Sequence, residues 1–177
     1  PPTAQWTATA AGCAVIGKSA SPHIEAATFG RITDYGVKDA NNMGAAMAPA
    51  ACSTITAFLQ DTKMQPEDLD LILTGDLGYV GSTLLRELMR KQEHIDITTR
   101  HNDCGLMLYR LNEQDVNSGG SGCGCSAAVV CSQIVSEMRS GMLNKGRCVG
   151  TGALLSAGSP LQGETVPSIA HAVLLTN

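Results

Sequence analysis

Apolar residues at positions 127, 131, 134, 135 and 138 recur at the helical period directly after the run Gly119-Gly120-Ser121-Gly122-Cys123-Gly124. This pattern predicts a helix beginning near Gly124, with Asn117, Ser118, Ser121 and Ser126 as candidate caps. The helix carries almost no charge before Glu137, so a central, buried position is expected for it. Ala51, Ile55, Phe58 and Leu59 mark a second amphipathic helix with Pro49 in its first turn, after a loop over residues 36–48. Residues 69–74 read as a short buried strand of the kind parallel sheets use, entered through the turn Pro66-Glu67-Asp68. Ser82 then reads as the cap of a third helix with Leu84, Leu85, Leu88 and Met89 inward. Residues 5–17 and 24–34 are expected as strands on either side of a Ser19-Ala20-Ser21-Pro22 turn. Gly141 ends the central helix. Residues 147–157 follow as a strand carrying Gly150 and Gly152, and residues 169–176 close the chain as a strand. This order predicts a layered α/β arrangement with a mixed sheet.

Composition narrows the class. The 177 residues are 44% hydrophobic, 16% charged and only 3% aromatic, which suits a close-packed aliphatic core in a single domain. Net charge is −4, there is no basic run, and few rings are available to stack on bases, so nucleic-acid binding is not expected. No apolar run reaches the roughly 18 residues of a membrane-spanning helix, and no signal peptide is visible. Seven cysteines, an odd count with no C-x-x-C pair, fit reduced buried thiols better than a disulfide framework. The chain opens Pro1-Pro2 and runs almost at once into a strand-like segment, as a piece of something longer would.

The candidate chemistry lies in two glycine turns. A glycine run that opens a helix lets backbone approach a ligand and turns unpaired N–H groups toward it. Together with the helix dipole, this suits a carboxylate, a phosphate or an oxyanion. The same run also makes a tight strand-to-helix turn, since no phosphate-loop Lys-Ser/Thr follows and the spacing is not the dinucleotide fingerprint. The second turn, Gly75-Asp76-Leu77-Gly78, lies beyond the carboxyl end of the 69–74 strand, where α/β sheets bind ligands. Asp76 there either orients a ligand or caps its own turn. His101-Asn102-Asp103-Cys104 holds nucleophile and metal-ligand residue types, but near-adjacent residues rarely converge on one point, so catalysis is not expected there. Cys123, Cys125 and Cys131 lack a partnering histidine and read as small buried thiols rather than a zinc site. Trp6 reads as a packing residue, and His171 as a satisfied core or surface histidine rather than a ligand. No metal and no cofactor are expected.

Three segments in this order resemble the second half of the thiolase fold: residues 69–74 with their glycine turn, the loop 118–126, and the glycine-bearing stretch 150–156. More closely, Leu71-Ile72-Leu73-Thr74-Gly75-Asp76-Leu77-Gly78, His101-Asn102-Asp103-Cys104-Gly105 and residues 119–126 resemble the stage V sporulation protein AD family over the whole chain. The resemblance implies a single-domain (1–177) thiolase-like half-fold, with a mixed five-stranded sheet and a buried central helix. Residues 1–35 would be the last strands of the preceding half and 36–177 the second half. It implies a protein of spore formation that binds dipicolinic acid, alone or with calcium, and helps carry it into the developing spore. Its place would be peripheral to the inner spore membrane, with other membrane uptake proteins as partners.

The departures from the superfamily's enzymes carry the functional expectation. Where the condensing enzymes' His-x-x-Asn would fall, this chain has Gly75-Asp76-Leu77-Gly78, and glycine moves no proton and holds no oxyanion. The loop asparagine is replaced by Ser121 or Cys123. The nucleophilic cysteine belongs to the first half of that fold, and neither Cys13 nor Cys52 sits in a comparable elbow. The chain is therefore expected to be non-catalytic, the alternative being an acyl-transferring enzyme whose nucleophile lies in the missing half. The expected ligand-binding residues are Gly75, Asp76, Leu77, Gly78, Ser118, Gly119, Gly120, Ser121, Gly122 and Cys123. The amides of residues 119–124 would meet the carboxylates, and calcium would relieve repulsion from Asp76. A lone half would expose an apolar patch, so the remaining half or a second copy is expected against it.

Overall fold

The computed structural model describes residues 1–18, 21–156 and 158–177; Ser19 and Ala20 of the expected turn and Ala157 of the expected strand lie outside the described residues. Along the chain run β1 (Trp6–Thr7), β2 (His23–Thr28), α1 (Met43–Thr62), β3 (Leu71–Thr74), α2 (Gly78–Gln92), β4 (His101–Asp103) and α3 (Cys104–Met107). They are followed by β5 (Gly120–Ser121), α4 (Cys123–Val129), α5 (Val135–Arg139), β6 (Lys145–Ala153) and β7 (Ser168–Thr176). Five strands form one mixed sheet in the order β2-β7-β6-β3-β4, while β1 pairs with β5 apart from it. The expected layered α/β fold with a five-stranded mixed sheet is the one found.

Strand alternation divides the core into two layers. Ile72, Val149 and Leu174 face α1 and α2, whereas their neighbours Leu73, Cys148 and Leu175 face α4 and α5. α1 packs on β6 and β7 and against α2, which reaches β4 on the same face, with Ala48, Ala50, Ala51 and Ile55 fully buried. It touches α2 backbone to backbone: a Cβ on Gly81 would stand 2.7 Å from the Cα of Gly44. Arg147 is buried in the same layer, its guanidinium 3.4 Å above the Phe58 ring, and burial lowers its pKa to about 9.

Several boundaries differ from the sequence reading, each for a physical reason. Of residues 5–17, only Trp6–Thr7 is a strand. Its last ladder bond runs from Ala8 N–H to Ser121 O, and Val15 and Ile16 beyond it are exposed. Alternation marks a strand, but a strand also needs a neighbour. β2 hydrogen-bonds to β7 in the five-stranded sheet, which places residues 23–28 with the 36–177 unit rather than with a preceding half. The 36–48 loop is shorter than expected, because α1 starts at Met43 under an Asn42 cap, and Pro49 lies inside the helix. Ser82 is buried within α2 rather than capping it, and Leu84 is exposed while Leu85 and Met89 are buried.

The central helix begins at Cys123, as expected, but one wide π-helical turn, Val130–Ile134, joins α4 to α5. The extra residue moves the buried stripe to Cys125, Val129, Ile134 and Met138. Ala127, Cys131 and Val135, expected inside, are left half-buried.

Candidate functional site

The end of β3, the start of α2 and the start of α3 meet at one buried carboxylate. Asp103 Oδ2 accepts hydrogen bonds from Thr74 Oγ1 at 2.6 Å and Leu77 N–H at 2.9 Å. Its Oδ1 accepts from Gly78 N–H at 2.9 Å and Gly105 N–H at 3.0 Å. Behind Thr74, His101 Nε2 lies 3.0 Å from the hydroxyl, and Arg86 Nε donates to His101 Nδ1 at 3.1 Å. Because Nδ1 accepts, Nε2 carries the proton, so donors run in one direction from Arg86 through His101 and Thr74 to Asp103. Within the His-Asn-Asp-Cys stretch, His101 and Asp103 are thus joined in one hydrogen-bonded chain through Thr74. Asp103 was missed as a site residue; four donors from three separate segments are not visible in a linear sequence.

His101 is neutral in the fold, because burial and then Arg86 lower its pKa from 6.5 to about 3. Unfolding takes up a proton here below pH 6.5, so this group's stabilisation is present above pH 6.5 and is lost as pH falls toward 3. Asp103, pushed up to about 6 chiefly by burial, acts in the opposite sense, but it is common to wild type and His101→Gln. Urea unfolding is therefore expected to show the gap between these two proteins widening by about 1.4 kcal/mol per pH unit from about pH 4 to about pH 6. A gap independent of pH would mean that His101 is not held neutral.

Two remote residues close the N-terminus of α2. Asp103 takes the N–H groups of Leu77 and Gly78, Ser118 O takes that of Tyr79 at 2.7 Å, and Ser118 Oγ takes that of Val80 at 3.1 Å. All four amides that a helix start leaves open are spent, so Leu77 and Gly78 offer no donor to an anion. The positive φ of Gly78 (63°) and its contact with Ser118 O bring the two glycine turns together here.

Asp76 joins the turns a second time. Its Oδ2 accepts from Gly122 N–H at 2.8 Å, and its Oδ1 accepts from Thr151 Oγ1 at 3.0 Å. Gln5 Nε2 bridges the carbonyls of Asp76 and Gly120 at 2.7 and 2.8 Å. Gly119 N–H donates to Val116 O, and Gly124 packs against the Ala10 carbonyl. Gly75, Asp76, Leu77, Gly78, Ser118, Gly119, Gly120, Ser121 and Gly122 are thus brought into one cluster, with exposed Cys123 at its edge. The expectation that amides of residues 119–124 meet an anion needs correction at Gly119 and Gly122, whose N–H groups are already satisfied within the chain.

Open space lies beside this cluster rather than in it. A hollow of about 400 Å³ separates the α4 side from the sheet and is lined by Gly75, Ala127, Val130, Cys131, Gly150 and Val173, among others. Its walls are almost wholly apolar. Burial pushes the thiols bordering this side up, Cys148 to about 11 and Cys125 to about 12, and Cys104 higher still. His171 stands at the rim, its Nδ1 accepting from Gly30 N–H at 3.1 Å and its ring edge-on to Phe29. Among the described residues, no group of three metal-ligating side chains converges and no helix is long and apolar enough to cross a membrane.

Among solved structures, the chain is similar to MvaS in complex with 3-hydroxy-3-methylglutaryl coenzyme A. The TM-score is 0.45 at 14% identity, over 88% of this chain and 40% of that one. It is also similar to 3-oxoacyl-[acyl-carrier-protein] synthase III from Aquifex aeolicus VF5, with a TM-score of 0.40 at 13% identity, over 89% of this chain and 54% of that one. The sequence relationship is far closer. The chain is 45% identical over 175 residues to stage V sporulation protein AD of Bacillus subtilis (strain 168), covering 98% of this chain and 51% of the relative, so it spans about half of that protein's length. The family model of stage V sporulation protein AD matches residues 1–176, and the chain belongs to that family, whose role is in sporulation.

Proposed function

We propose that this chain is a non-catalytic half of a sporulation protein that binds dipicolinic acid and supports its uptake into the developing spore. The observation that carries this reading is position 75. A glycine there has no side chain to move a proton or hold an oxyanion. The neighbouring groups point the same way. Thiols with raised pKa values are not thiolates at neutral pH, and the one buried imidazole is committed to Arg86 and Thr74.

Dipicolinate is a flat pyridine ring with two carboxylates. The apolar hollow suits the ring, and Gly75 of the first glycine turn lines it. Since the amides of Gly119 and Gly122 are occupied, donors for the carboxylates come from the half of the family's length that this chain does not cover. Asp76 follows Gly75 in the same turn, and a divalent cation such as calcium bridging it to a ligand carboxylate would turn repulsion into attraction. Each charge-assisted hydrogen bond to a carboxylate would contribute about 1.5–3 kcal/mol. Attachment to the spore membrane is peripheral in this reading and is made through partner uptake proteins.

The test uses this chain assembled with the remaining half of its Bacillus subtilis relative. Dipicolinate titrated into it, with and without calcium, should give saturable binding. Incubation with an acyl-coenzyme A should leave the intact masses of both halves unchanged. An acyl adduct on a cysteine of the remaining half would favour the acyl-transfer enzyme instead.

A further inference from the structure

Asp103 ties the first glycine turn to the sheet and, through Gly105, abuts the second, alongside the Asp76 link to Gly122 and Thr151. Thr74 ends β3, Leu77 and Gly78 begin α2, and Gly105 begins α3; the backbone of Gly105 in turn packs against Gly119 and Gly120. We propose that Asp103 is a proton-operated lock on the two turns, closed while its carboxylate is ionised and loosened at Leu77 when it is protonated.

The geometry fixes where the proton goes. Leu77, Gly78 and Gly105 contact the carboxylate through N–H groups, which accept nothing. The Thr74 hydroxyl, 2.6 Å from Oδ2, is the one facing group that can accept, so the proton sits on Oδ2. The hydroxyl has somewhere else to donate, since the Asn102 carbonyl lies 3.3 Å from it. On protonation Thr74 turns its hydrogen to Asn102, and the new Asp103 O–H donates to Thr74 Oγ1. The Leu77 N–H is then left against the hydroxyl oxygen of a carboxylic acid, a poor acceptor. Gly78 and Gly105 keep Oδ1 as a neutral carbonyl, with bonds weaker than those to a carboxylate.

The charged and titratable groups facing Asp103 leave it to titrate alone. Burial raises it to about 6, with the charge of Asp76 on the adjoining turn adding to the rise. His101 of β4 stays neutral over the same range, standing between Asp103 and the Arg86 cation of α2. The thiols of Cys104, Cys125 and Cys148 are raised and stay protonated. The lock needs no ligand and is independent of which ligand the hollow takes.

Amide-exchange protection factors, measured by NMR on the full chain, test it. From about pH 7.5 to about pH 5, Leu77 should lose protection at least about tenfold, while Val149 in the β6–β7 ladder holds. Asp103→Asn should show no such fall. Thr74→Val removes a donor that favours the ionised form, so its Leu77 midpoint should move to higher pH; this variant serves even if Asp103→Asn fails to fold. A flat Leu77 profile, a Leu77 fall in step with Val149, a persistent fall in Asp103→Asn, or an unmoved Thr74→Val midpoint would each overturn the proposal.

Discussion

Asp103→Ala is expected to lose more than about 3 kcal/mol of stability in urea unfolding at neutral pH, because it strands three buried backbone N–H groups at once. Each unsatisfied buried group costs about 1–3 kcal/mol, so even partial rescue by water leaves a large deficit. Asp103→Asn should lose less. Its amide can donate to a reoriented Thr74 hydroxyl and keep one oxygen for Gly78 and Gly105, leaving Leu77 alone without an acceptor. A loss below about 1 kcal/mol in Asp103→Ala would mean that the turns hold themselves without the carboxylate.

The second large effect is expected where α1 crosses α2. Gly81→Leu should destabilise the fold by about 1–3 kcal/mol or more, because the atoms met by its Cβ are the Cα, carbonyl carbon and oxygen of Gly44, 2.7–2.9 Å away. Backbone cannot swing aside as a side chain would, so the helices must separate. Separation uncovers the α1 face that buries Ala48 and Ala51. Gly141→Ala is the reference: nothing lies within 4 Å of its Cβ, and its positive φ (76°) adds a strain that owes nothing to packing. If Gly81→Leu were no less stable than Gly141→Ala, the close helix contact would not be a feature of the molecule in solution.

The parts of this fold legible in the sequence are those written in local periodicity. β3, the buried face of α1 at Ile55, Phe58 and Leu59, and the start of the central helix follow from spacing alone. What was not legible depends on residues far apart in the chain. The first turn of α2 is capped by Asp103 and Ser118 rather than by Ser82, 25 to 39 positions from the amides they serve. The wide turn at Val130–Ile134 shifts a helical stripe by one residue and leaves no compositional mark. The strand-like residues beyond Ala8 join no strand ladder among the described residues, because pairing is a property of two segments.

The candidate site was legible as a place but not as a chemistry. Both glycine turns were identified, and Gly78 and Gly119 hold the positive φ values (63° and 107°) that explain their residue type. Their amides looked open to an anion because the sequence could not show that Asp76 reaches Gly122, or that Asp103 reaches Leu77 and Gly78. Of Cys123, Cys125 and Cys131, read as small buried thiols, only Cys125 is buried; Cys131 is half-buried and Cys123 exposed.

The most direct measurement is the dipicolinate affinity of a Gly150→Leu variant of the assembled protein, by calorimetric titration. Gly150 faces the hollow, and its Cβ would meet only the His171 carbonyl, at 3.9 Å, so a leucine there fills the space without forcing the β6 backbone. With the fold intact by circular dichroism, the account predicts affinity at least about tenfold weaker than wild type, about 1.4 kcal/mol. Unchanged affinity in the folded, assembled variant would contradict it and place the ligand elsewhere.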